Sequence, residues 1–286
     1  MKREARPILG RRRLSQLRLS ALSLLATATY YSLLTTALKV QSIQMLGTIT
    51  TLGVAAAAAS LAGLHTMAPW SQLYGSNFNG LPPGTRNLAL TYDDGPNEPY
   101  TLRLMEVLAR HDVRATFFLL GRFVRERPAI VRDLVSAGHA IGNHTYSHPN
   151  LIFVSQSELR KQLEETNAAI ADACGQQPTL FRPPFGGRRP GTFSTAREYG
   201  LTPVMWRVTC YDWSAKSNQS IEQKAERQIR GGDVILLHDG GHVRMGANRS
   251  HSVQATDNLI RRYKAEGYQF LTVPEMLHPS GLQAAV

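Results

Sequence analysis

The sequence predicts an α/β protein: a distorted or incomplete (β/α) barrel of about seven strands behind an N-terminal membrane-anchor segment. Three observations predict it. Between residues 87 and 278, short apolar runs alternate with helix-periodic stretches, and strands separated by helices of that length pair in parallel through right-handed crossovers. Chemically reactive residues recur at the ends of those runs, where (β/α) barrels place their sites. Ahead of them, residues 19–64 carry Lys39 as their one charged residue.

Taken in order, residues 1–18 are a basic tail. The apolar region 19–64 contains two uncharged stretches, 19–38 and 45–64, each about as long as the roughly 20 residues a spanning helix needs. Seven Ser or Thr residues weaken the first stretch. Arginines before an apolar segment favour a cytoplasmic N-terminus. One span then leaves the C-terminal domain outside the cytoplasm, and two return it inside. The run "AAAAAS" offers small residues for signal cleavage, but the apolar core begins unusually far from the N-terminus for a signal peptide. The reading adopted is a signal-anchor at the cell membrane with an extracytoplasmic domain, the alternative being secretion after cleavage. Residues 65–86, rich in Gly, Pro, Asn and Ser, read as a linker.

The domain spans 87–278. "NLALTY" reads as its first strand, followed by a helix near 99–110. "RATFFLL" (114–120), a helix from Pro128 and "HAIGN" (139–143) come next. A long helix over 155–173 carries Ser155 before Glu158, a capping-box signal. "TLFRPP", a helix near 191–199, "LTPVMWRV" (201–208), a helix near 219–230, "GDVILLHD", a helix over 252–266 and "YQFLTV" complete the run. Residues 279–286 read as a tail.

Charge narrows the function. The 286 residues carry a net +11, but eight basic residues against Glu4 place +7 of it before residue 40. A nucleic-acid binder would carry its charge on the folded domain, so nucleic acid is set aside as a partner. Cys174 and Cys210 could form a disulfide or be buried thiols; two cysteines are too few to read a framework. A monomer is the default oligomeric state.

The polar constellation is more specific. "LALTYDDGP" ends a strand on Asp93 and Asp94, which is tolerable if both are solvated or if a cation or shared proton relieves their repulsion. His144 and His148 in "NHTYSHPN" are spaced to meet one metal from a single turn, though Pro149 disfavours helical geometry at His148. The alternative is a pair of polar loop histidines. Arg182 ends "TLFRPPF", Asp212 and Trp213 follow the strand through Val208, and His238 ends "VILLH". His111 and His139 lack a partner at metal spacing and read as ordinary. His242 and His251 read as solvated loop residues, with substrate contact open. With Asp94 as third ligand, two imidazoles and a carboxylate leave a metal position open, as at hydrolytic zinc sites. Asp93 then remains as a base.

These residues resemble the NodB-homology polysaccharide deacetylases, carbohydrate esterase family 4. "TYDDGP", "HTYSH", "RPPF", "YDW" and "ILLH" look like that family's five motifs, in order, over residues 87–277. The resemblance implies a distorted (β/α) barrel and metal-dependent removal of acetyl groups from glycans containing N-acetylglucosamine, such as peptidoglycan or chitin oligomers. It implies Asp93 as catalytic base and Asp94, His144 and His148 as ligands of one divalent metal, zinc by default, with cobalt, manganese or nickel as alternatives. It implies His238 as general acid, Asp212 as its orienting partner and Arg182 as the partner of Asp93. Arg188 and Arg189 add local basicity that would keep Asp93 ionised. Phe185 stands where the third motif usually has Tyr and would offer its backbone N–H to an oxyanion, while Trp213 and Leu236 would wall the acetyl pocket. Thr209 stands where the fourth motif often carries a further Asp. The rival readings are an O-acetyl-xylan or small-amide hydrolase on the same site, and a catalytically dead, membrane-tethered glycan-binding module.

Overall fold

A computed structural model describes residues 9–278, with side chains from Ser23 onward. The expected C-terminal tail, 279–286, lies outside the described residues, as does the basic tail apart from the helical backbone of 9–18. The chain divides into two units at Ala62/Gly63.

The first unit is helical. Helix α1 (Leu9–Met67) runs without interruption through both apolar stretches, and its last residues, Gly63–Met67, belong to the second unit. The polar residues between them, "KVQSIQ", contain neither Gly nor Pro, so nothing there ends a helix. Among the described residues, Ser23–Met67 is the one helix apolar and long enough to cross a membrane, and its 18-residue apolar stretch has a mean hydropathy of 1.6 with no buried residue.

In the second unit the expected alternation is present. Strand β1 (Asn87–Gly95) leads to α2 (Tyr100–Arg110), β2 (Thr116–Leu119), α3 (Gly121–Glu126), α4 (Pro128–Ser136), β3 (Ala140–Asn143) and α5 (Gln156–Cys174). Strand β4 (Leu180–Phe181), α6 (Thr192–Glu198), β5 (Thr202–Pro203), β6 (Val208–Thr209) and α7 (Asn218–Gln228) follow. Strand β7 (Asp233–His238), α8 (Ser250–Ala265), β8 (Gln269–Phe270) and α9 (Val273–Leu277) close the chain. The Ser155 hydroxyl accepts the Glu158 N–H at 3.1 Å, starting α5 as its sequence suggests. Gly175, at φ 73°, ends it in the left-handed conformation that suits glycine.

Every strand pairing is parallel, in the order β5-β4-β3-β2-β1-β7-β6, with β8 beside the start of β1. Strand β1 is therefore central and buried on both faces from Leu88 onward, as parallel strands covered by helices must be. Leu88, Leu90 and Tyr92 join one apolar cluster with residues of α2, α4 and α8. Ala89 joins a second with Phe118, Phe181, Val234 and Leu236.

The barrel is incomplete, and the missing closure explains two departures from the sequence reading. "LTPVMWRV", expected as one strand, is split: β5 ends one sheet edge and β6 forms the other. Pro203, which lacks an N–H, sits on the edge strand, where proline is tolerated. The segment 65–86, expected as a linker, is packed on the domain. Phe78 bridges Val204 and Gly80 bridges Asp233, and the Leu81 N–H donates to Gly232 O at 2.7 Å. The β5 edge and the start of β7, which β6 does not cover, leave backbone groups with which these residues pair.

Candidate active site

Strand alternation alone would send Asp93 and Asp94 to opposite faces. Asp94 instead has φ 74°, a left-handed conformation that Asp tolerates better than most residues, and the pairing with β2 shifts register between Asp93 and Gly95. The two carboxylates consequently reach one cleft. Gly240 packs against this turn so closely that a Cβ there would lie 2.0 Å from Asp94 O.

Arg182, at the end of β4, is fully buried. Its Nη1 donates to Asp93 Oδ1 and to Thr91 Oγ1, each at 2.8 Å. Its Nε and Nη2 donate to the Val204 and Met205 carbonyls at 3.3 and 3.2 Å. Burial pulls its pKa down, and the Asp93 charge and hydrogen bond oppose that. Arg188 and Arg189, expected to add basicity beside Asp93, point elsewhere: Arg188 to the Thr66, Ala68 and Ser71 carbonyls and Arg189 to the Val154 carbonyl. Among the described residues, Arg182 is the only arginine paired with Asp93.

His144 and His148 lie on the turn after β3, not on a helix, and His148 has φ 63°. Local bonds build the turn. Asn143 Oδ1 accepts the Thr145 N–H at 2.8 Å, and Thr145 Oγ1 accepts the His148 N–H at 3.2 Å. His144 Nδ1 donates to Arg182 O at 2.8 Å, which leaves Nε2 facing inward. His144 Nε2 and His148 Nε2 stand 3.6 and 3.3 Å from Asp94 Oδ1. Atoms of all three side chains fall within 4.8 Å of one another. Asp94 Oδ1 is buried without a hydrogen-bond partner. Burial, the neighbouring His144 and further charges hold His148 down to about 3, against the pull of Asp94, so its ring is neutral. An unneutralised carboxylate oxygen between two imidazole nitrogens is a donor set that fits a divalent cation.

Opposite stands His238, at the end of β7. Its Nδ1 donates to Asp212 Oδ1 and its backbone N–H to Asp212 Oδ2, both at 2.8 Å. Burial lowers its pKa, but the Asp212 charge and hydrogen bond, with the nearby Asp94 and Asp93 charges, outweigh burial and raise it to about 9. Burial likewise raises Asp212, and its bonds with His238 and Ser252 reverse that to a net lowering. Ser252, on α8, donates to Asp212 Oδ2 at 2.7 Å. Thr209 does not reach this pair; its hydroxyl accepts from Trp206 Nε1 at 2.7 Å.

The cleft has a volume of about 610 Å³, within the usual range for small-molecule sites. Asp93, Asp94, His144, His148 and His238 line it, as do Phe185, Trp213 and Leu236. Arg182 and Asp212 stand behind them as partners. All ten expected site residues are thus brought together. Phe185 sits at φ 58° in a tight turn, half exposed, its ring 4.4 Å from that of His148. Trp213 lies edge-on to His238 at 5.1 Å.

Several residues here escape the motif reading. His242 is not simply solvated: it lines the cleft, stacks on His148 at 4.5 Å and holds Nδ1 3.9 Å from Asp94 Oδ2. Asp239 is fully buried. Burial, together with nearby Asp94 and Asp93 and against a hydrogen bond from Thr101, raises it to about 7. Thr91 was legible in principle, since it lies two residues before Asp93 on the same strand face. Ser252 carries no spacing signal. His139 is structural, its Nδ1 accepting the Ala115 N–H at 3.2 Å, and His111 pairs with Asp257 at 2.7 Å. Cys174 and Cys210 are both free thiols.

Known proteins resemble this chain in sequence and fold. A family profile described as polysaccharide deacetylase matches residues 81–204. A peptidoglycan-N-acetylglucosamine deacetylase of Bacillus cereus is 37% identical over 220 residues, covering 76% of this chain and 78% of that protein. A chitooligosaccharide deacetylase of Rhizobium leguminosarum bv. trifolii is 34% identical over 196 residues, 66% of this chain and 91% of that one. A crystal structure of the Bc1960 peptidoglycan N-acetylglucosamine deacetylase matches with a TM-score of 0.66 at 36% identity, over 70% of this chain and 91% of that one. The open parallel barrel, the cleft at its strand ends and this level of identity lead to one conclusion: the chain belongs to the polysaccharide deacetylase family and is a hydrolase.

Proposed function

We propose that this chain removes the N-acetyl group from N-acetylglucosamine residues of a cell-wall glycan, using one divalent cation held by Asp94, His144 and His148. The observation that carries the reading is the division of labour between the two adjacent carboxylates. Asp93 is neutralised by Arg182, whereas Asp94 Oδ1 is buried and unpartnered between two imidazole nitrogens. A cation bound there would supply Lewis acidity, lowering the pKa of water and polarising the acetyl carbonyl. Zinc suits a site of two nitrogens and one oxygen, with cobalt, manganese or nickel as substitutes.

The side chains account for the remaining chemistry. Asp93 accepts the proton of the attacking water, and Arg182, bonded to its Oδ1, aims it. The Phe185 N–H stabilises the developing oxyanion, while Trp213 and Leu236 enclose the acetyl methyl group. With Nδ1 bonded to Asp212, His238 has Nε2 to present to the leaving nitrogen. Protonation of that nitrogen lets the C–N bond break, giving acetate and a free amine. The apolar helix supports attachment to the membrane with the domain on the extracytoplasmic side, where a cell-wall glycan lies. The test is acetate release by the detergent-solubilised chain from N-acetylglucosamine oligomers and from peptidoglycan. Release should stop with a chelator and return with zinc. A folded, metal-loaded chain that releases no acetate from either glycan would overturn the reading and turn attention to O-acetylated glycans.

A further inference from the structure

Arg188 lies six residues beyond Arg182 and outside the acid–base machinery, yet its side chain is fully buried. Burying a guanidinium without a counter-charge is costly unless its donors are satisfied, and among the described residues no carboxylate pairs with it. Backbone carbonyls take that place for the two terminal nitrogens, while Nε is buried without a partner. Nη1 donates to Gly186 O at 3.1 Å and to Thr66 O at 3.4 Å, and Nη2 to Ala68 O and to Ser71 O, the latter at 3.1 Å. The Arg188 N–H also donates to Thr66 O at 3.1 Å. Thr66 lies in the last turn of α1 and Ala68 just beyond it. Carbonyls at a helix end lack intrahelical partners and carry the negative end of the dipole, so they attract a cation.

The same guanidinium holds a turn that lines the cleft. Gly186 follows Phe185, and both residues are left-handed, at φ 69° and 58°. A phenylalanine holds that conformation only where its surroundings enforce it. The other side of the contact is braced as well. His65 Nδ1 bonds Ser71 Oγ at 2.7 Å, and Asn77 Nδ2 donates to Ser71 O at 2.9 Å. We propose that Arg188 is a positioning residue that joins the segment Thr66–Ser71 to the Phe185–Gly186 turn. The stretch leaving α1 thereby holds one wall of the cleft in its reactive shape. The kinetic consequence rests on the reading of the Phe185 N–H as an oxyanion donor.

The test uses the full chain in detergent, with Arg188→Gln and Arg188→Lys on one side of the contact and His65→Ala with Ser71→Ala on the other. Two readouts are taken: kcat and KM on an N-acetylglucosamine oligomer, and amide hydrogen exchange at residues 185–187. Each side should lower kcat about tenfold with KM held within about twofold, as expected for a loss confined to the transition state. Each should also speed exchange at the turn, and combining the two sides should add little to either alone. Arg188→Lys should recover part of the loss. Wild-type exchange in the His65→Ala, Ser71→Ala chain, or effects of the two sides that simply multiply, would overturn the coupling. If Arg188→Gln does not fold, the His65 and Ser71 variant decides alone. A wild-type chain without deacetylase activity would sink the functional reading, while the exchange result would still decide the coupling.

Discussion

Asp93 and Asp94 share a peptide bond and have opposite environments, so their substitutions should separate. Asp93→Asn should reduce turnover by about 10²–10⁴-fold, the usual worth of a positioned base, while bound metal, measured by elemental analysis, stays at the wild-type level. His144→Ala should lose metal and activity together; full metal content there would remove it from the ligand set. His238 makes a prediction about pH. Its pKa is raised from 6.5 to about 9, so the stability of its pairing with Asp212 is fully present below pH 6.5 and lost as pH rises through about 9. A general acid is active while protonated, so kcat should fall on the alkaline side. Asp212→Asn leaves burial as the dominant influence on His238 and should move that alkaline limb down by at least about one pH unit. An unmoved limb would remove His238 from the acid role. At this scale the sequence was highly legible, because carboxylates, histidines and an arginine stand at successive strand ends. Ser252 was not, since its contact with Asp212 depends on how α8 packs.

At the scale of elements, loop geometry decides whether strand ends converge. Strand β1 read correctly as a buried strand, but its last residues needed the left-handed turn at Asp94 and the close passage of Gly240. Gly240→Ala would push a methyl group into the Asp94 backbone, which cannot swing aside as a side chain can. Overpacking of this kind costs about 1–3 kcal/mol, so thermal unfolding should move to lower temperature and acetate release should fall. An unchanged melting temperature would mean that the two loops are not held together as described. The helices were legible where caps and periodicity agreed, as in α5. Helix α3 was not foreseen, because six residues give too short a period to read. The division of "LTPVMWRV" between two sheet edges was hidden too, since edge and central strands share one local pattern.

For the whole molecule, charge and hydropathy are segregated along the chain. Basic residues cluster before residue 40, and the one candidate span among the described residues is Ser23–Met67. Membrane fractions should therefore retain the intact chain after alkaline carbonate extraction, whereas recovery in the soluble fraction would point to cleavage of the N-terminal segment.

By itself the sequence determined the α/β class, the alternation of strands and helices, the apolar N-terminal region and the identity of the reactive side chains. Each is written in local periodicity, composition or residue type, and such signals survive without knowledge of distant contacts. The tertiary fold alone sets that the barrel stays open and that residues 78–81 pair beside β5 and at the start of β7. The pairing of Asp93 with Arg182, the isolation of Asp94 between two imidazoles and the burial of Arg188 against the end of α1 were decided there as well. Those features join residues about 50 or more positions apart in the chain, or depend on backbone torsions that no composition encodes, and a partner at that distance leaves no period to read.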